Sequence, residues 1–192
     1  QYEDFPYSYE KFLSHSLTNE NLVEELNSYD ANIILDVGCG VNPFKRKVKN
    51  LIGLDVADYP AADLIAPIEK AKDFFLEGSI DVIVALGSIN FGTFDNIITQ
   101  LGIMIDLVKP GGTLILRGRG KNRRSIVRNE KAFIHHQWTL DDVYQVTEIY
   151  KDKIKLVHDP LHETAAAGKI GSPGQADEEA KMDLWVWRWK KL

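Results

Sequence analysis

A glycine-rich turn is the part of the sequence best suited to hold a small ligand. The run DVGCG occupies positions 36–40 and follows a short apolar segment at 33–35. The glycines at 38 and 40 remove side chains where a strand turns sharply, so a ligand can approach the N–H groups at the start of a following helix. Asn42 and Pro43 suit the N-cap and first turn of that helix. We therefore expect this turn to bind the anionic end of a ligand.

Two acids stand at strand ends beside the turn. Asp36 ends the first apolar run, and Asp55 ends a second, LIGLD at 51–55. Open sheets of parallel strands bind ligands in the crevice at the carboxyl ends of their strands. Asp55 is placed there to accept hydrogen bonds from both hydroxyls of an adenosine ribose; the alternative is a solvated acid at a strand end. The pattern favours a ligand that contains a nucleoside.

The residue at position 43 separates two kinds of nucleotide ligand. Dinucleotide enzymes carry the fingerprint G-x-G-x-x-G, and its sixth position is Pro43 here. Proline lacks an N–H and places a ring where the fingerprint needs a small residue for helix packing. A nicotinamide-dependent oxidoreductase is therefore disfavoured, and a ligand without a pyrophosphate fits better.

Four segments, in this order, resemble the class I S-adenosylmethionine-dependent methyltransferases. ILDVGCG at 34–40 is similar to the family's first motif, IGLD at 52–55 to its ribose-binding strand end, SIDVI at 79–83 to its fourth strand, and LVKPGGTL at 107–114 to the turn into its fifth strand. The resemblance covers about residues 30–118. It implies S-adenosyl-L-methionine as the cofactor, with its carboxylate on the turn amides, its ribose on Asp55 and its sulfonium in an acidic crevice.

The resemblance also implies which residues contact this cofactor. The turn would hold the methionine end, Val56 would pack on the adenine, and Leu86 with Gly87 would line the methyl-donor pocket. The implied cofactor-binding residues are Asp36, Gly38, Cys39, Gly40, Asp55, Val56, Ile68, Leu86 and Gly87.

Two positions depart from the family pattern. Asn42 stands where many members have a third glycine. Pro67 falls near where many members place an acid against the adenine amino group, so the backbone of Ile68 would make that contact instead.

The catalytic residues are not identified by the sequence. Methyl transfer is an in-line displacement at an activated carbon, so alignment supplies much of the catalysis, and a base is needed only where the nucleophile must lose a proton. His135 or His136, just before a helix expected to be capped by Thr139, is a candidate base, with a polar loop as the alternative. LGSINF at 86–91 differs from the motif of amine-methylating DNA enzymes. Cys39 is the single cysteine of the sequence and lies in the cofactor turn, so the chain has no separate cysteine to act as the nucleophile of a covalent mechanism.

A cluster of cations follows the fifth strand, with only Glu130 to balance it. Its members are Arg117, Arg119, Lys121, Arg123, Arg124, Arg128 and Lys131. This cluster either attracts an anionic acceptor to the mouth of the site or is a solvated loop. The formal net charge of -5 argues against a protein that binds nucleic acid over its whole surface.

The predicted function is methyl transfer to an unidentified small-molecule or protein acceptor. Two alternatives remain open: an RNA methyltransferase that uses the basic segment 117–131, and a non-catalytic module that binds the cofactor.

The elements that must position these residues alternate along the chain. Apolar strands at 33–35, 51–55, 62–65, 80–86 and 113–116, with a helix at 94–108, predict a parallel sheet covered on both faces. Two tail strands without a helix between them, at 154–157 and 184–189, predict an antiparallel pair. The family fold implies a three-layer α/β/α Rossmann-like sandwich, whose seven-stranded, mostly parallel sheet has an antiparallel last strand.

We expect one domain from 192 residues. It divides into an aromatic N-terminal segment and helix (1–29, with the helix at 9–28), a cofactor-binding half (30–118), and a substrate-side half (119–192) that contains a flexible loop at 163–181. Three tryptophans at 185, 187 and 189 fall on one strand face, which favours core packing. We expect no metal, because Pro160 prevents the helix that His158 and His162 would need. No apolar run is long enough to span a membrane, and we expect a cytoplasmic protein.

Overall fold

The computed structural model describes residues 18–40, 44–60, 62–122, 136–166 and 181–192. In chain order the elements are α1 (Thr18–Ser28), β1 (Ile34–Val37), β2 (Leu51–Asp55), β3 (Leu64–Ile65), β4 (Ile80–Leu86), α2 (Phe94–Leu107), β5 (Val108–Asn122), α3 (Leu140–Ile149), β6 (Ile154–Leu156), β7 (Leu161–Ala166) and β8 (Lys181–Lys191). Short 3₁₀ helices at Ile68–Asp73 and Ser88–Asn90 precede and follow β4. In this part of the chain, no helix has the length and apolar character needed to cross a membrane.

The strands form one sheet in the order β3-β2-β1-β4-β5-β8-β6, with β7 also paired to β8. Strands β1 to β5 are parallel to their neighbours. β8 runs antiparallel to β5, β6 and β7. The prediction of a mostly parallel sheet with an antiparallel last strand is confirmed. The sheet has eight strands instead of seven because the outer strand beside β8 is in two pieces, β6 and β7.

The centre of the sheet is buried on both faces, which explains its continuous apolar strands. Successive residues of β4 belong to different cores: Ile83 packs in the cluster beneath α2 and α3, whereas Val82 and Val84 pack in the cluster beneath α1. Trp187 and Trp189 of β8 are fully buried in the first cluster, as predicted for core residues. The fold therefore has the three α/β/α layers that the sequence predicts.

The segment between β1 and β2 differs from the prediction. Residues 44–50, expected to continue a helix from Asn42 and Pro43, form turns. The N–H of Val48 donates to the carbonyl of Phe44, which closes a turn. Left-handed backbone at Arg46 (φ 72°), inside this turn, and at Asn50 (φ 57°) prevents an α-helix here.

Three other predicted elements have different bounds in the structure. The third strand is shortened to Leu64–Ile65. The turn at 109–112 is a bulge inside β5, because the register moves from Ile80 opposite Val108 to Val82 opposite Thr113. Within the loop predicted at 163–181, residues 163–166 belong to β7 and residue 181 to β8.

Several predictions fall outside the described residues. They concern the aromatic segment 1–9, the helix before residue 18, Asn42 and Pro43, the basic segment at 123–131, His135 and the loop at 167–180. By contrast, the predicted cap of α3 is confirmed: Thr139 Oγ1 accepts the N–H of Asp142, whose carboxylate accepts the N–H of Thr139.

A bidentate ion pair joins the first and last described elements. The Arg188 guanidinium on β8 donates from Nε and Nη2 to the two carboxylate oxygens of Glu25 on α1, at 2.7 and 2.6 Å. Paired charges in this geometry are among the stronger polar contacts in proteins. The pair fixes α1 against the antiparallel part of the sheet.

Asp81 ties together the starts of three central strands. Its Oδ2 accepts the N–H groups of Asn32 and Ile33, just before β1, at 2.9 and 2.8 Å. Its Oδ1 pairs with Lys109 Nζ at the start of β5. Burial alone would raise the pKa of Asp81, but the hydrogen bonds from Lys109 and the two backbone amides outweigh it and hold the pKa below its usual range.

Asp81→Ala is expected to lower the free energy of unfolding by about 2 to 4 kcal/mol at pH 7, because it leaves two amides and a cation without their acceptor. Urea unfolding measures the effect. Because the folded-state pKa is lowered, this contribution is present above about pH 4 and is lost as pH falls through the folded-state value. Asp152→Ala, which removes an exposed carboxyl after α3, is the control; an equal loss in both variants would contradict the role of Asp81.

Candidate functional site

The carboxyl ends of β1, β2 and β4 meet at one corner of the sheet. The N–H of Gly40, in the turn after β1, donates to Asp55 Oδ2 at the end of β2, at 2.8 Å. A Cβ on Gly38 would lie 2.2 Å from the Cβ of Ser88, so this position accepts only glycine. Ser88 Oγ donates to the carbonyl of Val37 at 2.6 Å. The structure thus brings the turn, Asp55 and the end of β4 together.

Ser88 is a part of this corner that the sequence did not predict. Its side chain fills the space over Gly38, and its hydroxyl joins the segment after β4 to the end of β1. The two glycines that adjoin Ser88, Gly38 in space and Gly87 in sequence, both have positive φ, at 70° and 105°. A side chain that packs against a glycine far away in sequence leaves no local pattern of its own.

Asp55 is buried and already accepts two backbone hydrogen bonds. Besides Gly40, the N–H of Ala57 donates to its Oδ1 at 2.9 Å. A carboxylate has about four acceptor positions on its two oxygens, so hydroxyl groups can add to these contacts. Asp55 can therefore shape the turn and hold a ribose with the same carboxylate.

Two further predicted residues lie close to Asp55. Val56, the next residue, has 72% of its surface exposed, which leaves an apolar side chain available to a flat ring. The carbonyl of Asp55 accepts the N–H of Ala66, which brings the segment leading to Ile68 alongside β2. The side chain of Ile68 belongs to the core, so only its backbone is left for a ligand.

The amides of the turn are hydrogen-bonded within the protein. Gly38 N–H and Cys39 N–H both donate to the carbonyl of Leu54, at 2.8 and 3.2 Å, and Gly40 N–H donates to Asp55. No helix begins in residues 44–50, as described above. The amides of residues 38–40 are therefore not exposed as the sequence predicted, because they have protein acceptors. The glycines still provide close approach, and binding of an anion at this turn stays a prediction.

Cys39 is buried, and its thiol is unreactive. Burial, with the nearby charges of Asp36 and Asp55, raises the pKa of its thiol to about 12. The thiolate is the reactive form of cysteine, and this site suppresses it. This environment suits a packing role for Cys39 and does not suit a nucleophile.

The carboxyl of Asp36 has a strongly raised pKa. It is 3% exposed, and burial, together with the charge of Asp55, raises its pKa to about 7. The cation of Arg117 acts in the opposite direction. Near neutral pH this carboxyl is thus divided between its protonated and ionised forms, and a bound cation would favour the ionised form.

Arg117 belongs to this corner and not to a loop. It lies on β5 opposite Leu86, and its Nη2 donates to the Leu86 carbonyl at 3.2 Å. The sequence grouped Arg117 with the basic segment because β5 was predicted to end at residue 116. Among the residues that the structure describes, the corner therefore brings together two buried acids, Asp36 and Asp55, and the guanidinium of Arg117.

A second polar group lies next to the 3₁₀ helix after β4. His136 Nε2 lies 3.3 Å from Asp142 Oδ2, and the ring stacks on Phe94 at 4.8 Å. The backbone N–H of His136 donates to the carbonyl of Asn90, two residues beyond Ser88. This places His136 beside the end of β4, where it remains a candidate base.

The fold is shared with solved methyltransferase structures. An S-adenosylmethionine-dependent methyltransferase from Archaeoglobus fulgidus matches with a TM-score of 0.66 and 11% identity, over 98% of this chain and 97% of its own. A methyltransferase from Methanosarcina mazei matches with a TM-score of 0.61 and 15% identity, over 89% and 97%. The 1,6-didemethyltoxoflavin-N1-methyltransferase of Burkholderia thailandensis, solved with S-adenosylhomocysteine, matches with 0.60 and 12%, over 98% and 92%. No family model and no curated protein matches the sequence.

Asp36→Asn is expected to stabilise the protein without ligand above pH 7. Folding opposes ionisation of Asp36, so the carboxyl costs stability progressively between about pH 4, where the unfolded chain ionises, and pH 7. The neutral amide should raise the free energy of unfolding by on the order of 4 kcal/mol at pH 8, as about three pKa units imply, and change it little at pH 4.

Urea unfolding at both pH values tests this expectation. Asp58→Asn, which changes an exposed carboxyl in the loop after β2, is the matched control. A loss of stability in D36N at pH 8 would contradict the cost assigned to the buried acid.

Proposed function

We propose that this chain, which has the fold of the class I Rossmann-like methyltransferases, transfers a methyl group from S-adenosyl-L-methionine to a small-molecule or protein acceptor. One observation carries the proposal: two buried acids, Asp36 and Asp55, stand at adjacent strand ends beside a turn that allows close approach. S-adenosylmethionine carries a cationic end, a ribose and an adenine in that order, and these groups match the chemistry of Asp36, Asp55 and the exposed Val56.

The residues present fit this cofactor at three points. Asp55 would accept the ribose hydroxyls, as one carboxylate can accept several donors. The exposed Val56 would cover the adenine, with the Ile68 backbone at its edge. Asp36 would bind the ammonium of the methionine end, because a buried carboxylate is stabilised by a nearby cation.

The end of β4 would position the reacting groups. The cofactor supplies an activated methyl group on a sulfonium. Leu86 and Gly87 would line its pocket, and the left-handed backbone of Gly87 turns the chain away from β4 at this point. Alignment of donor and acceptor in a site that excludes water supplies a large part of the acceleration.

The acceptor is proposed to approach from the side of the 3₁₀ helix after β4 and of His136. The basic segment after β5 would favour an anionic acceptor, and RNA methylation is the narrower form of this proposal. Arg117 is part of the cofactor corner, so the RNA alternative rests on the remaining cations of the segment.

Ligand-induced stabilisation tests the choice of cofactor. S-adenosylmethionine and S-adenosylhomocysteine at about 100 times their Kd should each add about 2.7 kcal/mol to the stability of the folded state, whereas NAD should add none. Thermal unfolding reads this as an increase in Tm of about 5 °C or more. Asp55→Ala should abolish the shift, and Asp58→Ala should keep it. Stabilisation by NAD alone would overturn the proposal.

Transfer of a labelled methyl group distinguishes an enzyme from a binding module. The protein is incubated with tritiated S-adenosylmethionine and with separate small-molecule, protein and RNA fractions of a cell extract. We expect label in the small-molecule or protein fraction, and none with Asp55→Ala. Cofactor binding without labelling of any fraction would favour the non-catalytic module.

A further inference from the structure

Two side chains beyond the end of β4 have buried polar atoms without a hydrogen bond. Asn90 is fully buried, and its Nδ2 donates to no acceptor among the residues that the structure describes. The Nε2 atom of His136 is also buried and makes no well-aligned hydrogen bond with them. Unpaired buried groups of this kind cost stability, so most of them are paired in folded proteins. Two such atoms in residues that contact each other indicate a site for a polar ligand.

Backbone contacts hold Asn90 and His136 together. The N–H of His136 donates to the carbonyl of Asn90 at 2.8 Å. The Oδ1 atom of Asn90 accepts the N–H of Arg119 on β5 at 3.1 Å, and the carbonyl of Arg119 accepts the N–H of Trp138 at 2.8 Å. The side-chain amide of Asn90 therefore lies next to β5 and to the segment that carries His136.

The ring of His136 is held in place by its neighbours. It stacks on Phe94 at 4.8 Å between ring centroids and meets Trp138 edge-on at 5.2 Å. Its Nε2 lies 3.3 Å from Oδ2 of Asp142, which Thr139 fixes at the start of α3. Catalytic hydrogen bonds are often long or poorly aligned before the substrate binds. The carboxylate favours the tautomer with its proton on Nε2, which leaves the lone pair of Nδ1 for a ligand.

Asn90 and His136 together offer one donor and one acceptor. A hydroxyl group has one proton and two lone pairs. It can donate to Nδ1 of His136, accept from Nδ2 of Asn90, and keep one lone pair to attack a methyl group. A neutral amine has a single lone pair, which the amide of Asn90 would occupy. The two side chains therefore favour a hydroxyl over an amine as the nucleophile.

We propose that Asn90 and His136 bind a hydroxyl group of the methyl acceptor, with His136 as the base and Asp142 as the residue that positions it. The hydroxyl oxygen bonds to the methyl carbon as the bond from that carbon to sulfur breaks, and the O–H proton moves to Nδ1 of His136. The products are S-adenosylhomocysteine, an O-methylated acceptor and an imidazolium, which returns its proton to solvent. This inference rests on the proposed function and adds to it the class of acceptor.

The position of the transferred methyl group tests the class of acceptor. The labelled product is isolated from the extract fraction that carries the tritium, and mass spectrometry locates the methyl group. We expect it on an oxygen that was a hydroxyl in the acceptor. A methyl group on nitrogen, sulfur or carbon would overturn this inference and leave the proposed function intact.

Replacement of His136 tests the base, with the acceptor isolated in this way. His136→Ala should lower kcat by about 100- to 10,000-fold and keep the affinity for S-adenosylhomocysteine, which reports that the variant is folded. Added imidazole should restore part of the lost activity. His158→Ala, which removes an exposed imidazole after β6, is the matched control and should keep kcat. An unchanged kcat in His136→Ala, or a loss that imidazole does not restore, would overturn the role of base.

Asn90→Ala tests the donor to the hydroxyl. It should raise the KM for the acceptor by about 10-fold, as expected for the loss of one hydrogen bond, and keep the affinity for S-adenosylhomocysteine. Asn96→Ala, which removes an exposed amide on α2, is the control. An unchanged KM in Asn90→Ala would contradict the role of this residue. If no extract fraction is labelled by the unsubstituted protein, the proposed function fails, and this inference fails with it.

Discussion

The hydrogen bond from the Gly40 N–H to Asp55 is the contact on which the candidate site depends. It joins the turn after β1 to the end of β2, and the carbonyl of Leu54 accepts the two preceding amides of the same turn. Strand β2 therefore supplies acceptors for amides that would be left exposed at the start of a helix. The amides of residues 38–40 have protein acceptors, so this part of the turn offers a ligand space and few free N–H donors.

Local patterns predicted the parts of the fold that depend on local physics. The buried strands β1, β2 and β4 are continuous apolar runs, and α2 has a regular apolar face, so their positions were predictable to within a few residues. The cap of α3 at Thr139 follows from residues three apart. The residues at the carboxyl ends of the strands were predictable because a parallel sheet collects these ends at one edge.

The remaining features depend on contacts between distant residues. The acceptors of the turn amides come from β2, and Ser88 covers Gly38 from the end of β4. β5 continues past residue 116 because β8 pairs with it, so Arg117 lies in the sheet although its neighbours in sequence are cationic. The bulge at 109–112 and the division between β6 and β7 are matters of register with partner strands. Neither the composition nor the spacing of residues along the chain indicates these pairings.

The position of β8 has a consequence for the order in which the chain acquires structure. β8 is the last strand in sequence, yet it lies between β5 and the outer pieces β6 and β7, and its Arg188 holds α1 through Glu25. Strands β1 to β5 can pair as they leave the ribosome, but β6, β7 and α1 have no complete partner until β8 has been made. Such long-range pairing is slow because loop closure must precede it. The nascent protein therefore has the ends of β1, β2 and β4 in place beside an open sheet edge, and the end of β5 with Arg117 is completed only when β8 pairs with it.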